Sequence, residues 1–237
     1  MQLPHFPLHT VVFPHLPLPI HVFEERYRAM ATDLMAPGSP YGGRFVVSMI
    51  TDGPEVGGDA ATRRIGTICE IHSAERFPDG RWVILAVGVA RARLGATDRS
   101  GPYALVEAEE IDDPAGADAI AMLPGLQRAL DAYLATVKRF VVRAASVGSN
   151  EPQEPAVAAT LDKVLKPIQL PDDPVAASYA IGGMLQIELS RKQLLLELPD
   201  AASRLRAELE LLRRESRLLD DGAMPPVPAS DIGYHPN

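Results

Sequence analysis

The apolar residues of this chain change their spacing once, close to Asp113-Pro114. Before that point they form β-branched or aromatic-rich runs between turn residues, which predict strands. After it they recur every three to four residues, as on one face of a helix. We therefore predict the α+β class, with a β domain over residues 1–112 and a helical bundle over residues 113–221. The proline-rich residues 222–237 are expected to be a disordered tail.

The chain begins with apolar residues that are interrupted by Pro4, Pro7, Pro14, Pro17 and Pro19. Each proline lacks a backbone donor and clashes with a preceding helical turn, so neither a secretory signal nor a membrane helix is expected. Proline and the residue before it favour extended geometry. The segment is therefore predicted to be extended, with a short strand over Leu8 to Phe13. We expect a cytoplasmic chain that has no membrane partner.

Short local signals predict the first helix and the first tight turn. The segment after the prolines is predicted to be helical, because its apolar residues share one helical face. These residues are Phe23, Tyr27, Met30, Ala31 and Leu34. A hairpin turn is predicted at Pro78-Asp79-Gly80, since Asp and Gly accept the positive φ of tight turns. Residues 51–62, rich in glycine and small residues, are predicted to be a mobile loop.

The second half of the chain shows two apolar stripes at helical spacing. The first contains Leu126, Leu130, Leu134, Val137 and Val141, and the second contains Val157, Leu161, Val164, Leu165 and Ile168. Asp173-Pro174 predicts an N-cap with proline in the first turn, and Ser190 with Gln193 predicts a capping box. A last long helix is predicted after Asp200. Its leucines are expected to pack within the chain, with a homodimer as the alternative.

Composition excludes several classes of partner and site. The net charge is −8, and both halves carry more Asp and Glu than Lys and Arg. Arginine pairs such as Arg63-Arg64 are isolated, so no nucleic-acid partner is expected. Cys69 is the only cysteine, which excludes an intrachain disulfide and a thiolate zinc site.

Several motifs together resemble the N-terminal, substrate-binding domain of Lon proteases. The opening LPHFPLHTVVFPHLPLPIHVFEERYRAM is similar to the start of that domain, and PDGRWVILAVGVARARL continues the likeness. The helical half follows with DDPVAASYAIGGMLQIELSRKQLLLELPDAASRLRAELELL. The resemblance implies a PUA-like β pseudobarrel followed by a helical bundle, and a role in recognising protein substrates.

Full-length Lon proteases add an ATPase module and a Ser-Lys protease module. A P-loop needs Gly-Lys-Ser/Thr, and none of the four lysines follows a glycine. Asp52-Gly53-Pro54 is similar to the protease nucleophile motif, but Glu55 stands where serine would be. We therefore expect a stand-alone family member that is not an enzyme and needs no cofactor.

The opening segment contains candidate metal ligands and a motif of mixed character. His5, His9, His15 and His21 fit neither one helical face nor a zinc finger, so no metal is expected. The four motif residues Phe23, Glu24, Arg26 and Tyr27 are interpreted as structural. The two aromatic rings are expected to pack inward, and the two charges are expected to bond to loops or backbone of the barrel.

Two aromatic residues flank the predicted hairpin turn, Phe77 and Trp82. They are candidates for a peptide-binding patch, with cross-strand core packing as the alternative.

Three functions from different classes remain open on the sequence alone. The first is a non-enzymatic module that binds unfolded or extended protein segments and acts as an adaptor for a separate protease. The second is a small-molecule-binding or hydrolytic protein that uses a cleft between barrel and helices. The third, RNA binding, rests on analogy with PUA-like barrels and is opposed by the negative charge.

Overall fold

The computed structural model describes residues 1–57, 60–146 and 168–221 of the chain. These residues form two compact units. The first contains Met1–Asp113 and Glu188–Leu198, and the second contains the described parts of Pro114–Ile187 and Pro199–Pro226. Residues 188–198 thus belong to the first unit, although they follow the second unit in the chain. The prediction of a single domain boundary after residue 112 does not include this.

The described residues form seven strands and five helices. The strands are β1 Gln2–Leu8, β2 Pro17–Val22, β3 Arg44–Asp52, β4 Ala61–Thr62, β5 Ile65–Arg76, β6 Trp82–Asp98 and β7 Leu105–Glu110. The helices are α1 Glu25–Met35, α2 Ala119–Ser146, α3 Pro174–Met184, α4 Leu189–Glu197 and α5 Ala201–Asp220. Strands dominate the first half and helices the second, which confirms the predicted α+β class.

Five strands of the first unit close into a ring. The order is β1-β7-β6-β5-β3, and β3 pairs with β1 again. This closing pair is parallel, whereas the other pairs of the ring are antiparallel. Strand β4 pairs with β3, and β2 pairs with β6. The ring encloses aromatic side chains, including Phe6 and Phe45, whose ring centroids are 6.1 Å apart.

The proline-rich opening forms two strands, β1 and β2, rather than the single predicted strand over Leu8 to Phe13. That prediction is wrong, because β1 ends at Leu8 and β2 begins at Pro17, and the prolines of β2 occupy positions where a missing N–H leaves the pairing intact. In β2, Gly88 N–H donates to Leu16 C=O, so alternate residues from Leu16 onward face β6. Pro17 and Pro19 lie at the intervening positions and face the outer edge of the sheet.

The predicted hairpin turn connects β5 to β6. Gly80 has a φ of 86°, and its backbone N–H donates to Phe77 C=O over 2.9 Å. The Arg28 guanidinium donates to the carbonyls of Gly80 and Asp79 over 2.8 and 3.1 Å. A Cβ at Gly80 would overlap Arg28, so glycine is required for both its conformation and its size.

Helix α4 is held against the barrel by hydrogen bonds at its middle and at its C-terminal end. Gln193 Nε2 donates to Ile65 C=O over 2.9 Å, and the buried Arg91 guanidinium donates to the carbonyls of Leu196 and Leu198. Asp113 also pairs with Arg91, at 3.1 Å. The helix begins after Glu188 rather than after Ser190, so the predicted capping box is wrong. Gln193 serves long-range packing instead of capping.

The second unit contains α2, α3 and α5. Asp173 and Asp200 cap α3 and α5 by accepting bonds from Ala176 N–H and Ser203 N–H over 2.9 and 2.7 Å. This confirms the predicted N-cap at Asp173 and the predicted start of the last helix after Asp200. The first apolar stripe is buried at Leu126 and Leu130 but reaches the surface at Val141. The predicted stripe over 157–165 and the tail over 222–237 lie outside the described residues. Ile168 alone of that stripe is described.

Leucines of α5 pack within the second unit. The side chains of Leu205, Leu212 and Leu219 are buried. This confirms the prediction that the last helix packs inside the chain, and leaves the homodimer as a prediction.

A carboxyl group is buried in the second unit at Glu208. In the described part of the chain, neither of its oxygens has a hydrogen-bond partner. Burial raises the pKa of this carboxyl well above its ordinary value, and the nearby Arg204 only partly opposes the shift. The folded protein therefore binds a proton that the unfolded chain releases above about pH 4.3.

We predict that Glu208→Gln raises the free energy of unfolding at pH 7 by about 1 to 3 kcal/mol. The gain should vanish near pH 4, where the carboxyl is protonated in both states, and grow as the pH rises and the unfolded carboxyl ionises. Urea unfolding followed by circular dichroism at several pH values measures both effects. Glu210→Gln, on the exposed side of the same helix, is the matched control. A pH-independent gain would contradict the prediction.

Candidate functional site

The motif over Phe23 to Tyr27 links the start of α1 to the barrel and to a loop. The Tyr27 ring is 2% exposed and meets Phe6 edge-on at 4.4 Å between centroids. Glu24 accepts bonds from Arg26 Nε and Gly57 N–H over 3.1 and 3.0 Å. These contacts are consistent with a structural role for the motif.

Electrostatics around Tyr27 follow from its burial. Loss of hydration disfavours the ionised phenol and raises the pKa of Tyr27 to about 12, although the Arg26 guanidinium opposes the shift. Arg26 lies 4.4 Å from the centre of the Tyr27 ring and donates to Glu55 C=O over 3.1 Å. Phe23 is only half-buried, and its ring lies 6.3 Å from His21.

The candidate pair Phe77 and Trp82 does not form one patch. Arg76 and Trp82 are cross-strand partners, so Phe77 lies on the opposite face from Trp82. The Trp82 side chain is 9% exposed and belongs to the core of the barrel, with Arg76 5.8 Å from its ring centre. Phe77 is half-buried at the turn. Trp82 is therefore withdrawn from the candidate peptide-binding surface, and Phe77 remains.

An apolar surface lies on the outward side of β6 and of its neighbour β2. Along β6, the side chains of Trp82, Ile84 and Ala86 are buried, while the alternate positions point outward. Pro17 pairs with Val87, Pro19 with Leu85, and His21 with Val83. We call the apolar members of this surface the outer β2–β6 face, which consists of Pro17, Pro19, Val83, Leu85 and Val87.

The outer β2–β6 face is accessible to a partner. Val83 is 44% exposed, and both prolines are also exposed. Strand β5 supplies a polar border, because Glu75 lies opposite Val83, Ser73 opposite Leu85, and Glu70 opposite Val87. Glu70 pairs with Arg44 over 2.9 Å. The surface is thus apolar at its centre and polar along one side.

The four histidines of the opening segment have different surroundings. His5 is buried, with Nε2 2.7 Å from Ser48 Oγ, whereas the exposed His9 contacts Glu55 at 3.1 Å. Burial lowers the pKa of His5 to about 4. Across residues 1–57, 60–146 and 168–221, no group of three or more His, Cys, Asp or Glu side chains is arranged to hold a metal ion. Among the described helices, none is long and apolar enough to cross a membrane.

A family model described as the substrate-binding domain of ATP-dependent protease La (LON) matches residues 2–214. The chain belongs to this family. The resemblance drawn from the motifs is therefore confirmed. The match is to a substrate-binding domain and not to a catalytic module.

Relatives of this LON substrate-binding domain are much longer proteins. The Lon protease of Trichlorobacter lovleyi is 26% identical over 222 residues, which cover 92% of this chain and 24% of the relative. The Lon protease of Escherichia coli K12 is 25% identical over 226 residues, covering 92% of this chain and 26% of the relative. The chain thus spans about a quarter of the length of these relatives.

Solved structures share the fold of this LON substrate-binding domain. The N-terminal domain of Mycobacterium avium complex Lon protease has a TM-score of 0.60 at 20% identity, over 90% of this chain and 98% of the other. A Lon N-terminal domain protein from Xanthomonas campestris has a TM-score of 0.58 at 20% identity, over 89% and 98%. At this identity the likeness establishes the fold alone.

Proposed function

We propose that this chain recognises protein substrates, and that the outer β2–β6 face holds their apolar segments. The observation that carries this proposal is a row of apolar residues on two adjacent strands, in which Pro17, Pro19 and Val83 are exposed and Leu85 and Val87 are half-buried. Apolar surface patches with a polar border commonly mark interaction sites. The family's description as a substrate-binding domain supports a protein as the occupant.

We expect a client to bind through its side chains rather than by adding a strand at the free edge of β2. An added strand needs N–H groups along the free edge of its host. Two of the three outward positions of β2 are Pro17 and Pro19, which have no N–H. Affinity would therefore come from burying apolar side chains of the partner against Val83, Leu85 and Val87, each buried methylene contributing about 0.8 kcal/mol.

The border of the outer β2–β6 face favours a partner that carries positive charge. Glu75 on β5 adjoins Val83, and the whole chain has a net charge of −8. Lysine or arginine beside the apolar residues of a client would be attracted to this border, chiefly raising the rate of association. Phe77 lies at the turn on the same side as Glu75 and extends the surface toward the hairpin. We therefore propose extended clients in which apolar residues are flanked by basic ones.

Val83→Glu is expected to weaken binding of an extended peptide, with valines and leucines flanked by lysines, at least tenfold, or about 1.4 kcal/mol. The carboxylate would place an unpaired charge against the apolar residues of the peptide. Val83 is 44% exposed and lies opposite Glu75, so the new carboxylate should lower the free energy of unfolding by about 1 kcal/mol at most. Fluorescence anisotropy of the labelled peptide measures binding.

The matched control is Ile120→Glu on α2, which adds the same charge at an apolar side chain that is 71% exposed. Binding should be unchanged in this control. Equal losses in both variants would show that the effect is not specific to the outer β2–β6 face, and unchanged binding in Val83→Glu would remove that face as the site.

An adaptor role would follow if bound clients were passed to a separate protease. Adding the chain to a mixture of client and protease should then accelerate degradation, and Val83→Glu should abolish the acceleration.

Small-molecule binding, a hydrolytic activity and RNA binding stay alternatives drawn from the sequence, and so does the homodimer.

A further inference from the structure

A cavity of the first unit differs in chemistry from the outer β2–β6 face, because polar and positively charged side chains line it. It has a volume of about 400 Å³ and is lined by His5, Thr62, Arg63, Arg64 and Thr97, with aliphatic and glycine residues between them. This volume lies in the range of small-molecule sites. None of the described residues that line it is acidic. In a chain of net charge −8, the cavity is a local concentration of positive charge.

One of the two arginines that line this cavity carries a buried donor that lacks an acceptor. The Nε atom of Arg63 is buried and has no hydrogen-bond partner within the described residues. A buried N–H without an acceptor destabilises the protein, since it loses its bond to water and gains none in return. Because this atom is sealed from solvent, an anionic ligand in the cavity would supply that acceptor only after the Arg63 guanidinium turned toward it.

The backbone of the two arginines is fixed from both sides. Arg63 N–H donates to Met49 C=O of β3 over 2.9 Å, and Leu94 N–H of β6 donates to Arg64 C=O over 2.8 Å. The short link between β4 and β5 is therefore anchored to two other strands. Such anchoring lowers the backbone entropy that this link loses when its arginines bind a ligand.

An irregularity in the barrel forms part of the cavity wall. The register of β6 against β7 shifts between Leu94 and Thr97, which leaves Gly95 and Ala96 out of the regular ladder. Glu107 accepts a bond from Ala96 N–H over 3.4 Å, and it lines the adjacent cavity together with Arg93. Glu107 is thus engaged at the bulge.

We propose that this cavity binds a phosphate group, either as free phosphate or as the ester of a small molecule. Guanidinium groups match the geometry of phosphate oxygens and donate two bonds at once. The hydroxyls of Thr62 and Thr97 provide further donors. His5 lines the wall, and its burial and the nearby Arg99 lower its pKa to about 4, so it adds no charge to the cavity at pH 7.

Thermal unfolding in the presence of inorganic phosphate tests the site, with sodium chloride of equal ionic strength as the reference. The wild-type Tm should rise with phosphate concentration above that reference. Glycerol 3-phosphate, titrated in parallel, distinguishes the two forms of ligand. Tighter binding of the ester supports a small organic phosphate, and equal or weaker binding supports free phosphate.

Arg63→Gln and Arg64→Gln should each weaken phosphate binding at least tenfold. Arg64 is exposed, so its variant should fold even if Arg63→Gln does not. Arg81→Gln, which removes an exposed arginine of the hairpin turn, is the matched control and should bind as the wild type does. No phosphate-specific shift in the wild type, or equal losses in Arg64→Gln and Arg81→Gln, would overturn the proposal.

Discussion

Tyr27→Ala is expected to lower the free energy of unfolding by about 3 to 5 kcal/mol. The ring is almost fully buried, packs edge-on against Phe6 and belongs to the core cluster of the barrel. Its removal leaves a cavity beside Phe6 and deprives Arg26 of the ring that it covers at 4.4 Å. Both effects act on the junction between α1 and the barrel.

Urea unfolding followed by the fluorescence of Trp82 measures this loss directly. Trp82 is the only tryptophan and lies in the same core cluster as Tyr27. Tyr27→Phe keeps the ring and should cost less than about 1.5 kcal/mol. If Tyr27→Ala kept its stability and instead abolished client binding, the structural interpretation of the motif over Phe23 to Tyr27 would be wrong.

Local features of the fold could be predicted because their causes lie within a few residues. Asp173 and Asp200 cap helices through bonds to N–H groups three residues away, and Gly80 adopts the positive φ of its turn. Such signals depend on backbone chemistry that the sequence displays directly.

Features that depend on distant partners could not be predicted. The parallel pairing of β1 with β3 joins His5 to Val46, which are far apart in the chain. The same limit applies to Gln193, whose side chain reaches Ile65 C=O across 128 positions instead of completing a capping box. Nothing within a short window of sequence specifies either contact.

The sequence did not locate the outer β2–β6 face, because a shift of one position along a strand moves a side chain to the opposite side of the sheet. Phe77 and Trp82 flank the turn, but Arg76 rather than Phe77 lies opposite Trp82, which separates the two rings. A signal for the outer β2–β6 face was present: WVILAV is apolar at every position, whereas a strand with one wet face would alternate. Only the structure shows which of the two faces of this strand is exposed to solvent.

Arg204→Ala is expected to lower the free energy of unfolding by about 3 to 5 kcal/mol, the second large effect. Arg204 is among the largest fully buried side chains and is 0% exposed. Its Nε donates to Ser178 Oγ over 2.9 Å, and its guanidinium lies 4.1 Å from the centre of the Tyr179 ring. The side chain thus joins α5 to α3. Thermal unfolding followed by circular dichroism of the helices measures the loss.

Arg204→Met separates packing from charge. It keeps most of the aliphatic volume but loses the bond to Ser178 and the contact with the Tyr179 ring, so we expect a loss of about 1 to 2 kcal/mol. Combining it with Glu208→Met removes both buried ionisable groups, and such replacements are often neutral or stabilising by about 1 to 4 kcal/mol. The double variant should therefore be at least as stable as the wild type at pH 7. If it were less stable than Arg204→Met alone, Glu208 would be stabilising the fold through contacts that do not involve Arg204, and the interpretation of its buried carboxyl as a cost would fail.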